Sequence, residues 1–189
     1  EHVDIAPSGH MRAVLALRGY FESPDGHRMF GFRLRASLYA GLSCVRLVPM
    51  IVLDADHGVL HRFRSLNLVL APKGGIRAAA LGGDPGWQGV LTDPVRLFQR
   101  TDRDYTIENV GISGEKSPGW ARVENDDCSL AIAMREFWQQ WPKGLQIDDS
   151  KATIELFPQF EGGQFDDMQP WWKYQYLFDG DCYRLRTGQ

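Results

Sequence analysis

Apolar and polar residues alternate along much of this chain, as they do in β-strands that bury one face and solvate the other. The cleanest alternation is at 30–39 (FGFRLRASLY), and a similar one is at 11–20 (MRAVLALRGY). The stretch 44–54 is largely apolar on both faces, which predicts a central strand, although Pro49 within it predicts an edge position or a bulge. A Ser-Pro-Asp-Gly turn sequence at 23–26 separates the first two stretches. Together they predict an antiparallel meander.

The rest of the chain contains shorter strand-like stretches between glycine-rich or polar loops. Loops or exposed polar segments are predicted over 82–89, 102–109 and 111–119. No long window carries the 3.6-residue apolar stripe of an amphipathic helix. Many short strands with turns between them predict an all-β fold, an antiparallel β-sandwich with few or no helices. The shorter strands are predicted over 65–71, 76–81, 120–123, 129–134, 151–157 and 171–178.

One domain is predicted over residues 1–189. The length suffices for a single substantial core, and the chain contains no internal repeat, low-complexity tract or linker-like composition. It begins at Glu1 with neither an initiator Met nor a signal peptide. We therefore expect a piece of a longer polypeptide.

Charge and hydropathy argue against two classes of partner. The 21 Lys and Arg residues are outnumbered by 24 Asp and Glu residues, which gives a net charge of -3 and a pI near 6.0. No basic run resembles a polybasic membrane tether, and no window approaches the ~18 apolar residues of a membrane span. We therefore expect neither nucleic acid nor a membrane as a partner.

The three cysteines, Cys44, Cys128 and Cys182, are far apart and lack metal-ligand spacing. An odd number cannot pair completely within the chain, so a disulfide framework is not expected. Cys44 and Cys128 lie in strand-like surroundings, where a cysteine is expected to be a small buried residue.

The stretch 129–145 (SLAIAMREFWQQWPKGL) begins as a strand and changes character at Arg135. Pro142 disfavours helical geometry for Trp141 before it, so a helical turn here must end quickly. A strand that ends in flat aromatic side chains, amides and charges predicts a sugar-binding rim. The alternative is a hydrophobic corner that closes one end of a β-sandwich, and residue types alone favour that alternative.

Residue types suited to proton abstraction beside a carboxylate are present but scattered. The reaction needs a base, a group that neutralises the carboxylate and a proton donor to the leaving oxygen. Each candidate has a structural role as its alternative. The candidates are Tyr39, His57, Arg135, Lys143 and Tyr174.

Carboxylate clusters give weaker signals, and no metal site is predicted. Glycoside hydrolysis needs a pair of carboxylates, and Glu136 could pair with Asp166 or Asp167. Nothing in the sequence favours this pair over other carboxylates. The first acidic cluster does not match a known ligand signature, and the second could hold Ca²⁺ in a glycine-rich loop. A solvated turn or loop is the favoured alternative for both. The first cluster consists of Asp54, Asp56, His57 and His61, and the second of Glu161, Asp166 and Asp167.

The segment 134–143 (MREFWQQWPK) resembles the R-[DE]-F-W-Q-x-[YW]-P-K stretch of exo-rhamnogalacturonan lyase-like proteins, polysaccharide lyase family 26, which include YetA-like bacterial proteins. Other features agree in order, and the likeness extends over nearly the whole chain, with 137–143 its most specific part. These features are Arg-Ala-Val at 12–14 with Gly19, Tyr-Ala-Gly at 39–41, Val-Arg-Leu at 45–47 with Asp54, Trp-Gln-Gly at 87–89 and Gly-Trp at 119–120.

The resemblance implies a central β-sandwich, of supersandwich or galactose-mutarotase-like type, between an N-terminal β-barrel and a C-terminal α/α toroid. The implied reaction is β-elimination at uronic acid residues of rhamnogalacturonan (pectin). This chain would then support or line the active cleft of a multidomain lyase-like protein and be inactive in isolation. The alternatives are a non-catalytic carbohydrate-binding module and a structural spacer between two domains.

Within such a cleft, Arg135, Lys143 and His57 are the predicted catalytic side chains, and Arg135 or Lys143 would neutralise a uronate carboxylate. No cofactor is predicted for this domain, and Ca²⁺ is a candidate only for the parent lyase. The expected partners are carbohydrate and neighbouring domains of the same polypeptide. Localisation stays open, with a secreted or periplasmic parent expected for pectin degradation. The predicted substrate-binding residues are Trp138, Gln139, Trp141, Trp171 and Trp172.

Overall fold

A computed structural model describes residues 2–54, 58–166 and 177–186 of this chain. The fold is all-β, with 57% of residues in strands and several antiparallel sheets, and no helix occurs in the described ranges. The predicted fold class is therefore confirmed. The search for a helix long and apolar enough to cross a membrane found none in these ranges.

The chain divides into two compact units. Unit 1 comprises residues 1–62 and 184–189, and unit 2 comprises residues 63–183. The chain passes from unit 1 to unit 2 within β5 (Leu60–Phe63). It returns to unit 1 within β17 (Cys182–Arg186). The single-domain organisation stays a prediction.

Unit 1 contains a four-stranded antiparallel sheet in the order β1-β2-β3-β4. The predicted meander is confirmed in β2, β3 and β4, whereas β1 was not predicted because Pro7 and Gly9 interrupt its short apolar pattern. Strand β4 is an edge strand, so the edge position predicted from Pro49 is confirmed and the central position predicted from its apolar faces is wrong. The strands are β1 (His2–Gly9), β2 (Arg12–Glu22), β3 (Arg28–Tyr39) and β4 (Val45–Val52).

Unit 2 contains two sheets, of six and four strands. The six-stranded sheet has the order β11-β10-β9-β14-β15-β6, and the four-stranded sheet has the order β13-β12-β7-β8. The strands of the larger sheet are β6 (Leu66–Leu70), β9 (Val95–Thr101), β10 (Asp104–Glu108), β11 (Ile112–Gly114), β14 (Lys143–Ile147) and β15 (Ala152–Phe157). Those of the smaller sheet are β7 (Ala78–Leu81), β8 (Trp87–Val90), β12 (Trp120–Glu124) and β13 (Ser129–Ala133).

The two sheets of unit 2 share one hydrophobic core, which makes this unit a β-sandwich. Leu97 and Leu145 enter the core from the larger sheet, and Leu81 and Val123 enter it from the smaller one. Phe137, which lies in the turn after β13, belongs to the same core. The burial of both inner faces is the main stabilising contribution in this unit.

A separate aromatic cluster lies in unit 2. The rings of Phe160, Phe165, Phe178 and Tyr183 make edge-to-face and stacked contacts, which include Phe160 with Tyr183 at 5.1 Å and Phe165 with Phe178 at 4.1 Å. Strand β16 (Phe178–Asp179) pairs with β17 beside it. The cluster consists of Phe98, Phe160, Phe165 and Tyr183, with Phe63, Trp141, Phe157, Leu177 and Phe178 packed against them.

Several local predictions are wrong because tertiary pairing overrides local polarity. The predicted loop 82–89 ends in β8, which begins at Trp87, and the predicted exposed segment 102–109 contains β10. In β10 the side chains of Tyr105 and Ile107 are buried, while the polar residues between them face away from the core. Cys44 and Cys128 are exposed, contrary to the expected burial.

Candidate functional site

The 134–143 segment is anchored to the sandwich by Phe137. Its side chain is 1% exposed and lies against Gly119, where a Cβ atom would overlap the phenylalanine. The Met134 N–H donates to the Gly119 carbonyl at 2.9 Å. Gly119 has φ +69, a left-handed conformation that glycine adopts without steric cost. This glycine therefore allows the segment to dock against the loop that precedes β12.

That loop is held in place by a buried polar network centred on Gln99, whose side chain is 0% exposed. The Gln99 side-chain amide donates to the Thr101 and Glu115 carbonyls, each at 2.8 Å, and its oxygen accepts from the Ser117 N–H at 2.9 Å. The Ser117 hydroxyl donates to the Gly82 carbonyl at 2.6 Å and accepts from the Gly119 N–H at 3.1 Å. Fully satisfied buried networks of this kind rigidify a loop.

The segment itself begins with a tight turn over residues 135–140. Glu136 has φ 56, an uncommon conformation for a residue other than glycine. The Gln140 N–H donates to the Glu136 carbonyl, and the Gln140 side-chain amide donates to the Glu136 carboxylate, both at 2.9 Å. Arg135 is 84% exposed and lies 3.3 Å from the Glu136 carboxylate, and Gln139 is exposed. The turn thus presents a guanidinium and an amide to solvent.

Trp138 is half-buried and is covered in part by a lysine from the neighbouring loop. The Lys116 ammonium lies 4.4 Å from the centroid of the Trp138 ring, which is a cation–π geometry. Lys116 is exposed and comes from the same loop that Gln99 and Ser117 hold in place. We call Lys116, Arg135, Trp138 and Gln139 the Trp138 surface. Sequence reasoning missed Lys116, because nothing in its local pattern indicates the contact with Trp138.

Trp141 lies in the aromatic cluster. Its ring stacks on Phe178 at 6.3 Å and on Phe165 at 6.5 Å, and Pro142 after it is buried. These contacts match the hydrophobic-corner interpretation of the segment for Trp141, whereas Trp138 faces a charged side chain. Substrate binding by Trp141 stays a prediction.

Lys143 is half-buried, and its ammonium is directed at backbone oxygens. It donates to the Leu156 carbonyl at 2.7 Å and to the Pro142 carbonyl at 3.3 Å, and it lies 5.1 Å from the Phe157 ring centroid. Burial disfavours the charged form and lowers the pKa of Lys143 from 10.5 to about 8. A lysine with such a pKa has the chemistry of a general base near neutral pH. A catalytic role for Lys143 stays a prediction.

A group of charged side chains on the same sheet as Lys143 was not predicted, and it consists of Arg96, Glu108 and Glu155. The Arg96 guanidinium donates to the buried Glu155 carboxylate at 2.9 Å, and also to Glu108 at 3.3 Å and to the Gln159 carbonyl at 2.9 Å. The Glu155 carboxylate lies over Gly144, where a Cβ atom would collide with it. Burial raises the pKa of Glu155, and the Arg96 charge partly opposes this effect. Because the Arg96 guanidinium is fully engaged by Glu155, Glu108 and the Gln159 carbonyl, we assign these side chains a structural role.

Other predicted site residues are elsewhere or outside the described ranges. His57, Trp171 and Trp172 lie outside them, as do Asp56, Asp167 and Tyr174. Asp54 pairs with Arg28 and accepts from the Gly31 N–H at 2.8 Å. His61 packs edge-to-face on Phe30 at 5.2 Å. Within the described part of the chain, no group of three or more metal-ligating side chains is close enough to share an ion.

The Trp138 surface therefore combines two cationic side chains, an amide and part of an indole on a rigidly held turn and loop. Such a set can bind a carboxylate-bearing ring, because the cations attract the carboxylate and the indole offers an apolar surface. Comparisons of this chain with protein-family models, with curated proteins and with solved structures found no match.

Proposed function

We propose that this chain is a β-sandwich domain of a rhamnogalacturonan lyase-like polypeptide and that it binds acidic polysaccharide at the Trp138 surface. The observation that carries the proposal is the Lys116 ammonium, 4.4 Å from the centroid of the Trp138 ring, with the exposed Arg135 in the same turn as Trp138. The resemblance of 134–143 to the lyase-like family supports the same ligand class. In this proposal the domain presents substrate to a cleft completed by neighbouring domains.

The roles within the surface follow from chemistry. Lys116 and Arg135 would attract a uronate carboxylate, and a charge-assisted hydrogen bond from either is stronger than one between neutral groups. The part of the indole that Lys116 leaves open would pack against the sugar ring, and Gln139 would donate to ring hydroxyls. On binding, the Lys116 ammonium would give up part of its contact with the Trp138 indole and form a contact with the uronate carboxylate.

Titration of the chain with rhamnogalacturonan oligosaccharides, followed by tryptophan fluorescence and calorimetry, tests the proposal. We expect Lys116→Ala and Trp138→Ala each to weaken binding about tenfold, which corresponds to about 1.4 kcal/mol. Arg103→Ala is the matched control for Arg135→Ala. Both arginines are at least 80% exposed and lie beside a neighbouring carboxylate, Asp102 or Glu136.

Binding that is lost equally in Arg103→Ala and Arg135→Ala would show a nonspecific charge effect. A chain that binds no oligosaccharide at all would favour the structural-spacer alternative. Participation in catalysis is a separate question, tested by Arg135→Ala and Lys143→Ala in the full-length polypeptide. An unchanged kcat/KM in both variants would remove these two residues from the reaction.

A further inference from the structure

The sheet of unit 1 carries arginines on one of its faces. Strands β1 to β4 contain six arginines and two carboxylates, Asp4 and Glu22. In β3 the exposed Arg33 and Arg35 alternate with the half-buried Phe32, Leu34 and Ala36, as the sequence pattern predicts. Because side chains two residues apart on a strand point to the same face, Arg33 and Arg35 share one face at a spacing of about 6.8 Å.

The register of the sheet gathers further arginines on that face. Arg18 pairs directly with Arg33, and directly opposed residues of an antiparallel pair share a face. Arg46 pairs with Ser37, which lies on the same face of β3 as Arg35, and Arg12 pairs with Tyr39. We call this set the arginine face, and it consists of Arg12, Arg18, Arg33, Arg35 and Arg46.

Most of this positive charge is not balanced by carboxylates. Arg18 lies 3.1 Å from Asp4, which also lies 2.6 Å from His2. Among the described residues, Arg12, Arg33, Arg35 and Arg46 have no carboxylate within ion-pair distance, and all four are exposed. Like charges on directly opposed strand positions disfavour the pairing. An anionic ligand with regularly spaced charges would remove this repulsion.

Two tyrosines complete the face at its opposite ends. Tyr20, which is 59% exposed, lies two residues beyond Arg18, and Tyr39 pairs with Arg12. The Arg28 guanidinium covers the Tyr20 ring at 3.7 Å. With a ring at each end and arginines between, the face lacks the successive stacking platforms on which single-stranded nucleic acids bind.

We propose that the arginine face is a second binding site, for a linear polysaccharide with a carboxylate on successive sugars. Arginine guanidinium groups bind carboxylates through two parallel hydrogen bonds, so a row of them suits a polyuronate laid flat on the sheet. The tyrosines offer apolar ring surface to the terminal sugars. This site is separate from the Trp138 surface and stands without it.

The test is binding of the 189-residue chain to polygalacturonate, measured by calorimetry at low and high salt. The variant Arg33→Gln/Arg35→Gln/Arg46→Gln is expected to lower the affinity at least tenfold and to reduce its salt dependence. The control is Arg77→Gln/Arg103→Gln/Arg122→Gln, which removes the same charge from exposed, ion-paired arginines of unit 2. We expect the control to change the affinity less than twofold.

A second variant, Arg33→Lys/Arg35→Lys/Arg46→Lys, keeps the charge and removes the planar fork, so an intermediate loss is expected. The proposal is overturned if both glutamine triples lose affinity equally, if fully methyl-esterified polygalacturonate binds as tightly, or if a thymidine oligonucleotide of equal charge binds as tightly. Trp138→Ala distinguishes the two sites, since it should weaken oligosaccharide binding at the Trp138 surface while binding at the arginine face persists.

Discussion

At the scale of single residues, Lys143 shows how position changes the chemistry of a side chain. In sequence it is one of three charged residues in the 134–143 segment. In the folded chain its ammonium is half-buried against the Leu156 carbonyl, and desolvation lowers its pKa to about 8. Arg135 of the same segment is almost fully exposed. Two cations of the same segment therefore differ in hydration.

The lowered pKa of Lys143 predicts a pH-dependent stability. Below pH 8 the residue is protonated in both states, and the folded state bears the cost of the buried charge. Between pH 8 and 10.5 the folded protein loses this proton before the unfolded chain does, so stability rises with pH. At about 1.4 kcal/mol per pH unit, the rise approaches about 3 kcal/mol. The measurement is urea unfolding of wild type and Lys143→Met from pH 7 to 10.

Other groups that titrate in this range affect both proteins, so the informative quantity is the difference between them. Lys151→Met is the control, because Lys151 is a more exposed lysine on the adjacent strand connection. Wild type and Lys143→Met should diverge with pH, and more steeply than wild type and Lys151→Met do. Parallel pH profiles for all three proteins would contradict the predicted burial of the Lys143 charge.

At the scale of elements, the position of the Trp138 surface depends on how the turn after β13 docks on the loop before β12. Strands β12 and β13 are paired from Trp120 with Ala133 to Glu124 with Ser129. The pairing brings Gly119 beside Met134, whose N–H it accepts, and Phe137 then fills the space over the glycine. Because Gly119 has no side chain, the turn that contains Trp138 can pack closely against the loop that contains Lys116.

Gly119→Ala is predicted to be strongly destabilising. It would place a side chain in a left-handed conformation and push a Cβ atom into Phe137, so the free energy of unfolding should fall by about 3 kcal/mol or more. Gly111→Ala is the matched control, since Gly111 has nearly the same φ, +67, with open space around it. The control should lose only about 1 kcal/mol. Equal losses in urea titrations would show that contact with Phe137 is unimportant.

At the scale of the whole molecule, hydrophobic burial is concentrated in unit 2. Both hydrophobic clusters consist of residues between Phe63 and Tyr183. In the described part of unit 1, the buried apolar side chains are those of Val14 and Phe30. The stability of the chain therefore depends mainly on the sandwich, and the sheet of unit 1 contributes much less buried apolar surface.

A fragment of residues 60–186, which retains β5 and β17, is predicted to fold by itself. It contains every member of both clusters, so we expect a β-rich circular dichroism spectrum and a single cooperative urea transition. Residues 2–62 alone should show no cooperative transition, because the described residues in this range bury only two large apolar side chains, those of Val14 and Phe30. A disordered 60–186 fragment would contradict this assignment of the core.

The strands of the meander could be predicted from the sequence because the alternation along 30–39 separates the half-buried Phe32, Leu34 and Ala36 from the exposed Arg33 and Arg35. Strands β9 and β10 could not be predicted in this way. In β9 both faces are covered over Leu97, Phe98 and Gln99, so alternation disappears, and a buried glutamine looks like a surface residue. In β10 only Tyr105 and Ile107 are buried, and the polar residues around them make the segment resemble an exposed loop in sequence.

The sequence by itself determined the all-β class, the alternating arginines of β3 and the concentration of aromatic, amide and charged residues in 134–143, because these depend on local order along the chain. Only the tertiary structure decided that Lys116 covers Trp138, that Trp141 stacks on Phe178, and that Lys143 turns toward backbone carbonyls. These contacts join residues distant in sequence, or depend on which side of the chain is covered. Local pattern does not encode such pairings, whereas strand register and close packing do.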